Sequence, residues 1–142
     1  MLFRSPATPL AISAAQLSRA EQAMHLLSLF QREGRLIDFC KEDLAGFSDA
    51  QVGAAARGVH DGCKKALKLS FGIVPIQKDA EGAIITVPPG FSPAAIRLTG
   101  NVVGDPPFKG VLRHHGWKIT EVRLPPVSGD ATLLSPAEVE LS

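Results

Sequence analysis

Four histidines, two cysteines and one tryptophan hold most of the chemistry this 142-residue chain could perform. His114-His115 lies between Arg113 and Lys118 at the end of a stretch of strand-forming composition. Neighbouring residues of a strand point to opposite faces, so the two imidazoles are not expected to grip one atom together, as a helical i, i+4 pair does. One of them, near Asp105 and Asn101, could act as a general base in a small hydrolase or transferase. However, no Ser or Cys stands in a nucleophile-elbow setting and no carboxylate pair has a recognisable context, so no catalytic residue is assigned. His60 and Cys63 are three apart on an expected helix and, with His25 and Cys40, nominally supply four zinc ligands. Each is already explained by an apolar helical stripe and no CxxC occurs, so no metal and no cofactor is expected. Gly100-Asn-Val-Val-Gly104 precedes Pro106-Pro107 rather than a helix N-terminus, which removes the reason for phosphate to bind there.

What remains is a concentration of contact groups. Trp117 and Phe108 are interface anchors or base-stacking rings, and Arg113, His114, His115, Lys118 and Asn101 are polar partners around them. With Arg97, Lys109 and Arg123 they make this half of the chain locally basic, although the net charge is only +1 and no overall field draws the protein to nucleic acid or an anionic surface.

The elements that must position these groups divide at Ile73, where apolar periodicity changes from about 3.6 residues to 2. Before it, capping signals at Ser13 and Ser18 introduce a stripe of Leu17, Ala20, Met24, Leu27 and Phe30, predicting a helix over about 14–32 that ends before Gly34. Arg35 to Leu44 predicts a short second helix. Ser48-Asp-Ala-Gln51 is the best capping box, and Val52, Ala55, Ala56, Val59, Cys63, Ala66 and Leu67 carry a third helix for five turns. Gly58 and Gly62 inside it, four apart, predict close approach by a neighbouring helix.

Beyond Ile73, 73–77 and 83–87 predict one hairpin, and Lys109–His114 with Trp117–Leu124 another, turning at His115-Gly116. A β-bulge at Thr120-Glu121 would bring Trp117, Ile119, Val122 and Leu124 to one face, where Trp117 is expected to be at least half buried between sheet and helices. Ala95–Thr99 reads as a further strand and Ala131–Leu134 as a short edge strand. The expected fold is α+β: three N-terminal helices packed on a small antiparallel β-meander, or a partly closed barrel, of five to six short strands. A loose tail over 1–12, a helical segment over 13–72, a β segment over 73–125 sharing the helices' core, and a loose C-terminal segment over 126–142 complete the organisation. No apolar run reaches the roughly 18 residues of a membrane span, and isolated cysteines suit a reducing compartment, so a soluble cytoplasmic protein is expected.

The runs Phe30-Gln-Arg-Glu-Gly-Arg35, Ser48-Asp-Ala-Gln-Val-Gly-Ala-Ala-Ala-Arg57, Ile96-Arg-Leu-Thr-Gly-Asn-Val-Val-Gly104 and Gly116-Trp117 occur together and in order. In these the chain resembles the bacterial family known as domain of unknown function 2760, over about residues 22–125. The resemblance implies no activity, cofactor or catalytic residue; it implies, as context, an Hsp70-like chaperone as partner. The leading expectation is a non-enzymatic interaction or adaptor module, with a histidine-dependent hydrolase or transferase and a single-stranded nucleic-acid binder as alternatives.

Overall fold

The structure, a computed structural model, describes residues 14–124 and 129–142. Helix α1 spans Ala14–Gly34, α2 Leu36–Lys41 and α3 Asp49–Ser70, with a 3₁₀ turn at Leu44–Gly46; strands β1 (Phe71–Pro75), β2 (Ile84–Val87), β3 (Phe108–Val111) and β4 (Trp117–Val122) follow. The described residues form two compact units, 14–70 with 123–124 and 129–142, and Phe71–Val122.

In the helical unit the expected capping box is complete. Ser48 Oγ accepts from the Gln51 amide at 3.2 Å and Gln51 Oε1 from the Ser48 amide at 2.9 Å, satisfying two donors that would otherwise lack partners at the start of α3. Gly62 lets α1 and α3 meet at backbone distance: a Cβ there would lie 2.1 Å from the Glu33 carbonyl oxygen and 2.5 Å from Gly34 Cα. Gly58, expected to share this role, has nothing within 4 Å of its would-be Cβ. The apolar stripe of α1 is displaced from its expected line. Leu29 is buried, whereas Leu27 is exposed.

Gln31 organises the turn that follows α1. Its side-chain oxygen accepts from the Ile37 and Asp38 amides at the start of α2, and its nitrogen donates to Asp38 Oδ2 at 2.8 Å. That bond, then the Arg35 guanidinium at 2.9 Å, holds the Asp38 carboxyl below the usual carboxylate range. Arg35 takes a left-handed conformation (φ 54°), a strain these bonds offset. Burial pushes the Cys63 thiol up, and Cys40 adds to the shift; Cys63 is half-buried, whereas Cys40, expected in an apolar stripe, is exposed.

In the β unit the strands lie close to their expected positions but pair differently. β1 pairs antiparallel with β4 and β2 with β3, giving two two-stranded sheets. Among the described residues there are four strands rather than five or six, with neither a meander nor a closed barrel. Neither hairpin forms, because the turn signals serve a different end. The chain makes one long ribbon in which β1, then β2, run against β3 and β4 in nested order. Its two ladders nearly join, through Ile76 and Gln77 amides donating to the Gly116 and His115 carbonyls at 3.2 and 2.9 Å, and the Gly82 amide donating to the Leu112 carbonyl at 2.7 Å. Gly116 (φ 72°) and Gly82 (φ 96°) use their left-handed backbone at this junction, not at hairpin tips.

Ala95–Thr99 is not a strand. Ser92 starts a turn by accepting from the Ala95 and Ile96 amides, and the alternation that suggested a strand reflects Ile96 and Leu98 turning inward from an unpaired segment. Ala131–Leu134 is likewise a turn: Asp130 Oδ1 accepts from the Thr132 amide at 2.9 Å and its hydroxyl at 2.6 Å, occupying the backbone locally.

The bulge is present. Gly72 pairs with Glu121 and Ile73 with Ile119, leaving Thr120 as the extra residue. A Cβ at Gly72 would meet Thr120 Oγ1 at 2.6 Å and Glu121 Cβ at 3.2 Å, which places both side chains on the Gly72 side of the ladder. Trp117, Ile119 and Val122 consequently share the other face, opposite Pro75, Ile73 and Phe71. The expected burial fails: Trp117 is 59% exposed, Ile119 56% and Val122 57%.

Candidate functional site

Two surfaces of the β unit gather the residues singled out by sequence. The first is an open cleft of about 780 Å³ between the ribbon and the connection from Pro93 to Val102. Asn101, Phe108, Arg113, His114 and His115 all line it. Phe108 is half-buried and meets Phe91 in a T-shaped contact at 6.5 Å between ring centroids. Trp117 and Lys118 lie outside this cleft, beside a second depression bordered by Val74, Pro75, Ile76 and Ala94.

His114 and His115 depart from the expected geometry. They belong to the turn between β3 and β4, where strand alternation does not apply, and their rings stack at 5.0 Å and 24°. Their neighbour is Glu81 rather than Asp105. Glu81 Oε2 accepts from the His115 amide at 3.3 Å and lies 3.6 Å from His115 Nε2. Among the described residues, Glu81, His114 and His115 form the one group of three or more potential metal-ligating side chains that comes together, each offering an atom within 4.8 Å of the others. No three of His25, Cys40, His60 and Cys63 do so.

Glu81 escaped the sequence reading because 34 positions separate it from His115. The available signal is a carboxylate directly before Gly82, in a segment whose turn chemistry predicts a hairpin tip. The helical unit also holds an unanticipated apolar cleft of about 610 Å³, lined by Phe39, Leu44, Phe47, Val52 and Val59 among others.

The second surface of the β unit is the ladder face itself, with cross-strand pairs Pro75–Trp117, Ile73–Ile119 and Phe71–Val122 in a row. Two edge-to-face contacts fix the Trp117 ring from the side, to His115 at 4.4 Å and His114 at 6.5 Å. The indole is therefore oriented while 59% of the residue remains exposed. The family model described as domain of unknown function DUF2760 matches residues 19–140. The chain belongs to that family. No curated protein and no solved structure matches it. DUF2760 membership bears out the resemblance read from the sequence and lengthens it from about residues 22–125 to 19–140. Among the described residues of this DUF2760 chain, no helix is long and apolar enough to cross a membrane.

Proposed function

We propose that the chain is a non-enzymatic interaction module whose contact surface is the apolar face of the β1–β4 ladder. The observation that carries this is the row Trp117, Ile119 and Val122, each more than half exposed and contiguous with Ile73 across the ladder. Large apolar groups scattered singly on a surface mean little, but a contiguous face with a pre-oriented tryptophan is the composition of an interface anchor. A two-stranded sheet is also marginal by itself, and covering this face would stabilise it. The occupant is a protein surface of apolar character. An Hsp70-like chaperone, the partner implied by the family resemblance, is the first to try.

The alternatives have less support. The cleft lining contains no Ser or Cys, and no hydrogen bond joins its Thr99 hydroxyl to either imidazole to make it a nucleophile. For single-stranded nucleic acid, the two expected stacking rings do not share a surface, since Phe108 lines the cleft and Trp117 lies outside it.

Affinity capture from a native lysate, comparing wild type with Trp117→Ser/Ile119→Ser, tests the reading once circular dichroism shows both folded. A partner, probed first for an Hsp70-like chaperone, should be retained by wild type and reduced at least ~10-fold with the double variant, as expected for loss of interface anchors. Equal recovery of every protein by the two removes this face as the contact surface. Sedimentation of purified wild type identifies the remaining occupant, a second copy of the chain.

A further inference from the structure

We propose that Glu81, His114 and His115 form a binding site for a divalent first-row transition-metal ion of the zinc class. The three side chains meet where the two ladders of the ribbon fail to join. The first arm carries extra residues around Lys78–Glu81, and the second turns through Arg113–Gly116. The backbone on either side is tied down. Besides the Gly82, Ile76 and Gln77 bonds, the Leu112 amide donates to the Ala83 carbonyl at 2.8 Å. The donors are thus brought together by hydrogen-bonded main chain, as a metal site requires.

The hydrogen bonds of His115 determine what it offers. Its Nδ1 lies 2.9 Å from the Gly116 carbonyl oxygen, which can only accept, so Nδ1 carries a proton and, in the neutral ring, Nε2 presents a lone pair. A backbone carbonyl on the far ring nitrogen is the usual way a metal-binding histidine is held in its coordinating tautomer. His115 Nε2 and Glu81 Oε2 stand 3.6 Å apart. This is too long for a direct hydrogen bond. It is close to the ~3.3 Å between two donors bound at zinc-type lengths around one tetrahedral ion. Imidazole with carboxylate favours zinc, copper, nickel or iron over magnesium or calcium, and three protein donors leave an outward position for water.

His114 joins at a cost. Its Nδ1 accepts from the Gly116 amide at 3.1 Å. Coordination through Nδ1 displaces that bond directly, and coordination through Nε2 puts a proton on Nδ1 facing another donor. Glu81 and His115 are therefore the primary pair, with His114 the weaker third ligand.

The single tryptophan reports on this site, since the His115 ring lies 4.4 Å from that of Trp117. Full-length protein freed of metal would be titrated with Zn²⁺ by calorimetry, and with Ni²⁺ or Cu²⁺ by quenching of Trp117 emission. One saturable equivalent is expected. Affinity should fall at least ~10-fold in His115→Ala and Glu81→Gln, less in His114→Ala, and remain unchanged in His60→Ala. Circular dichroism establishes that each variant is folded, and Glu81→Gln preserves side-chain shape if an alanine variant does not fold. Absence of saturable binding below about 1 mM overturns the proposal on the affinity scale of the weakest specific sites. So does binding that survives in Glu81→Gln and His115→Ala, or that His60→Ala abolishes.

Discussion

At the α1–α3 crossing, two main chains meet with no side chain between them, Gly62 against Glu33 and Gly34. On the β1–β4 ladder the relation is reversed: the backbone is paired, and Trp117, Ile119 and Val122 extend into solvent. The helical unit excludes water by removing side chains from a contact, whereas the β unit displays side chains without a cover of comparable closeness. Stability should therefore be most sensitive to added atoms in the first region and binding to removed atoms in the second.

The largest effect is expected from Gly62→Ala. The added methyl would sit 2.1 Å from a carbonyl oxygen, and neither backbone can yield alone, so α1 and α3 must separate. A loss of about 3 kcal/mol in urea unfolding is expected, at the upper end for overpacking. A loss below about 1 kcal/mol would mean that the crossing is loose and the contrast between the regions false.

Gly72→Ala addresses the ladder at its bulge, where the new methyl meets one rotatable hydroxyl and one fixed Cβ. About 1 kcal/mol should be lost, and Thr120→Ala in the same chain should recover part of it. A purely additive double variant would show that the bulge does not bring Thr120 against Gly72.

Gly58→Ala gives the smallest effect and the opposite sign. Nothing lies within 4 Å of the added carbon, so replacing a flexible glycine inside α3 should stabilise by about 0.5–1 kcal/mol. A rise in thermal midpoint for Gly58→Ala beside a fall for Gly62→Ala would show that one helix carries one packing glycine and one dispensable glycine.

Legibility in the sequence follows the range of the interaction responsible. The α3 cap at Ser48 and the four strand positions depend on residues within a few positions, and the bulge at Thr120, although its partners Gly72 and Ile73 lie far back in the chain, leaves its mark locally as a break in the apolar alternation of β4; each is readable. Strand pairing depends on closure across the whole β unit, for which Gly82 and Gly116 gave a misleading local cue. Both do adopt the left-handed backbone that a hairpin tip needs, but at a junction between ladders. The distinction between Gly58 and Gly62 was equally hidden, because only the position of α1 separates them. For the same reason the binding candidates Asn101, Phe108, Arg113, His114 and His115 were identified as residues and do line one cleft, while Glu81, which gives the histidines their chemistry, was not.

The nested order of the strands also fixes how the chain enters and leaves the β unit. Phe71 pairs with Val122, and one step outside it the Arg123 amide donates to the Ser70 carbonyl at 2.7 Å while its guanidinium reaches the Lys68 and Leu69 carbonyls. Departure and return share one doorway at the end of α3. Everything from Phe71 to Val122 is topologically a single excursion, and its length can change without rethreading the chain outside it. Arg123, bound to three successive carbonyls, is the latch of that doorway.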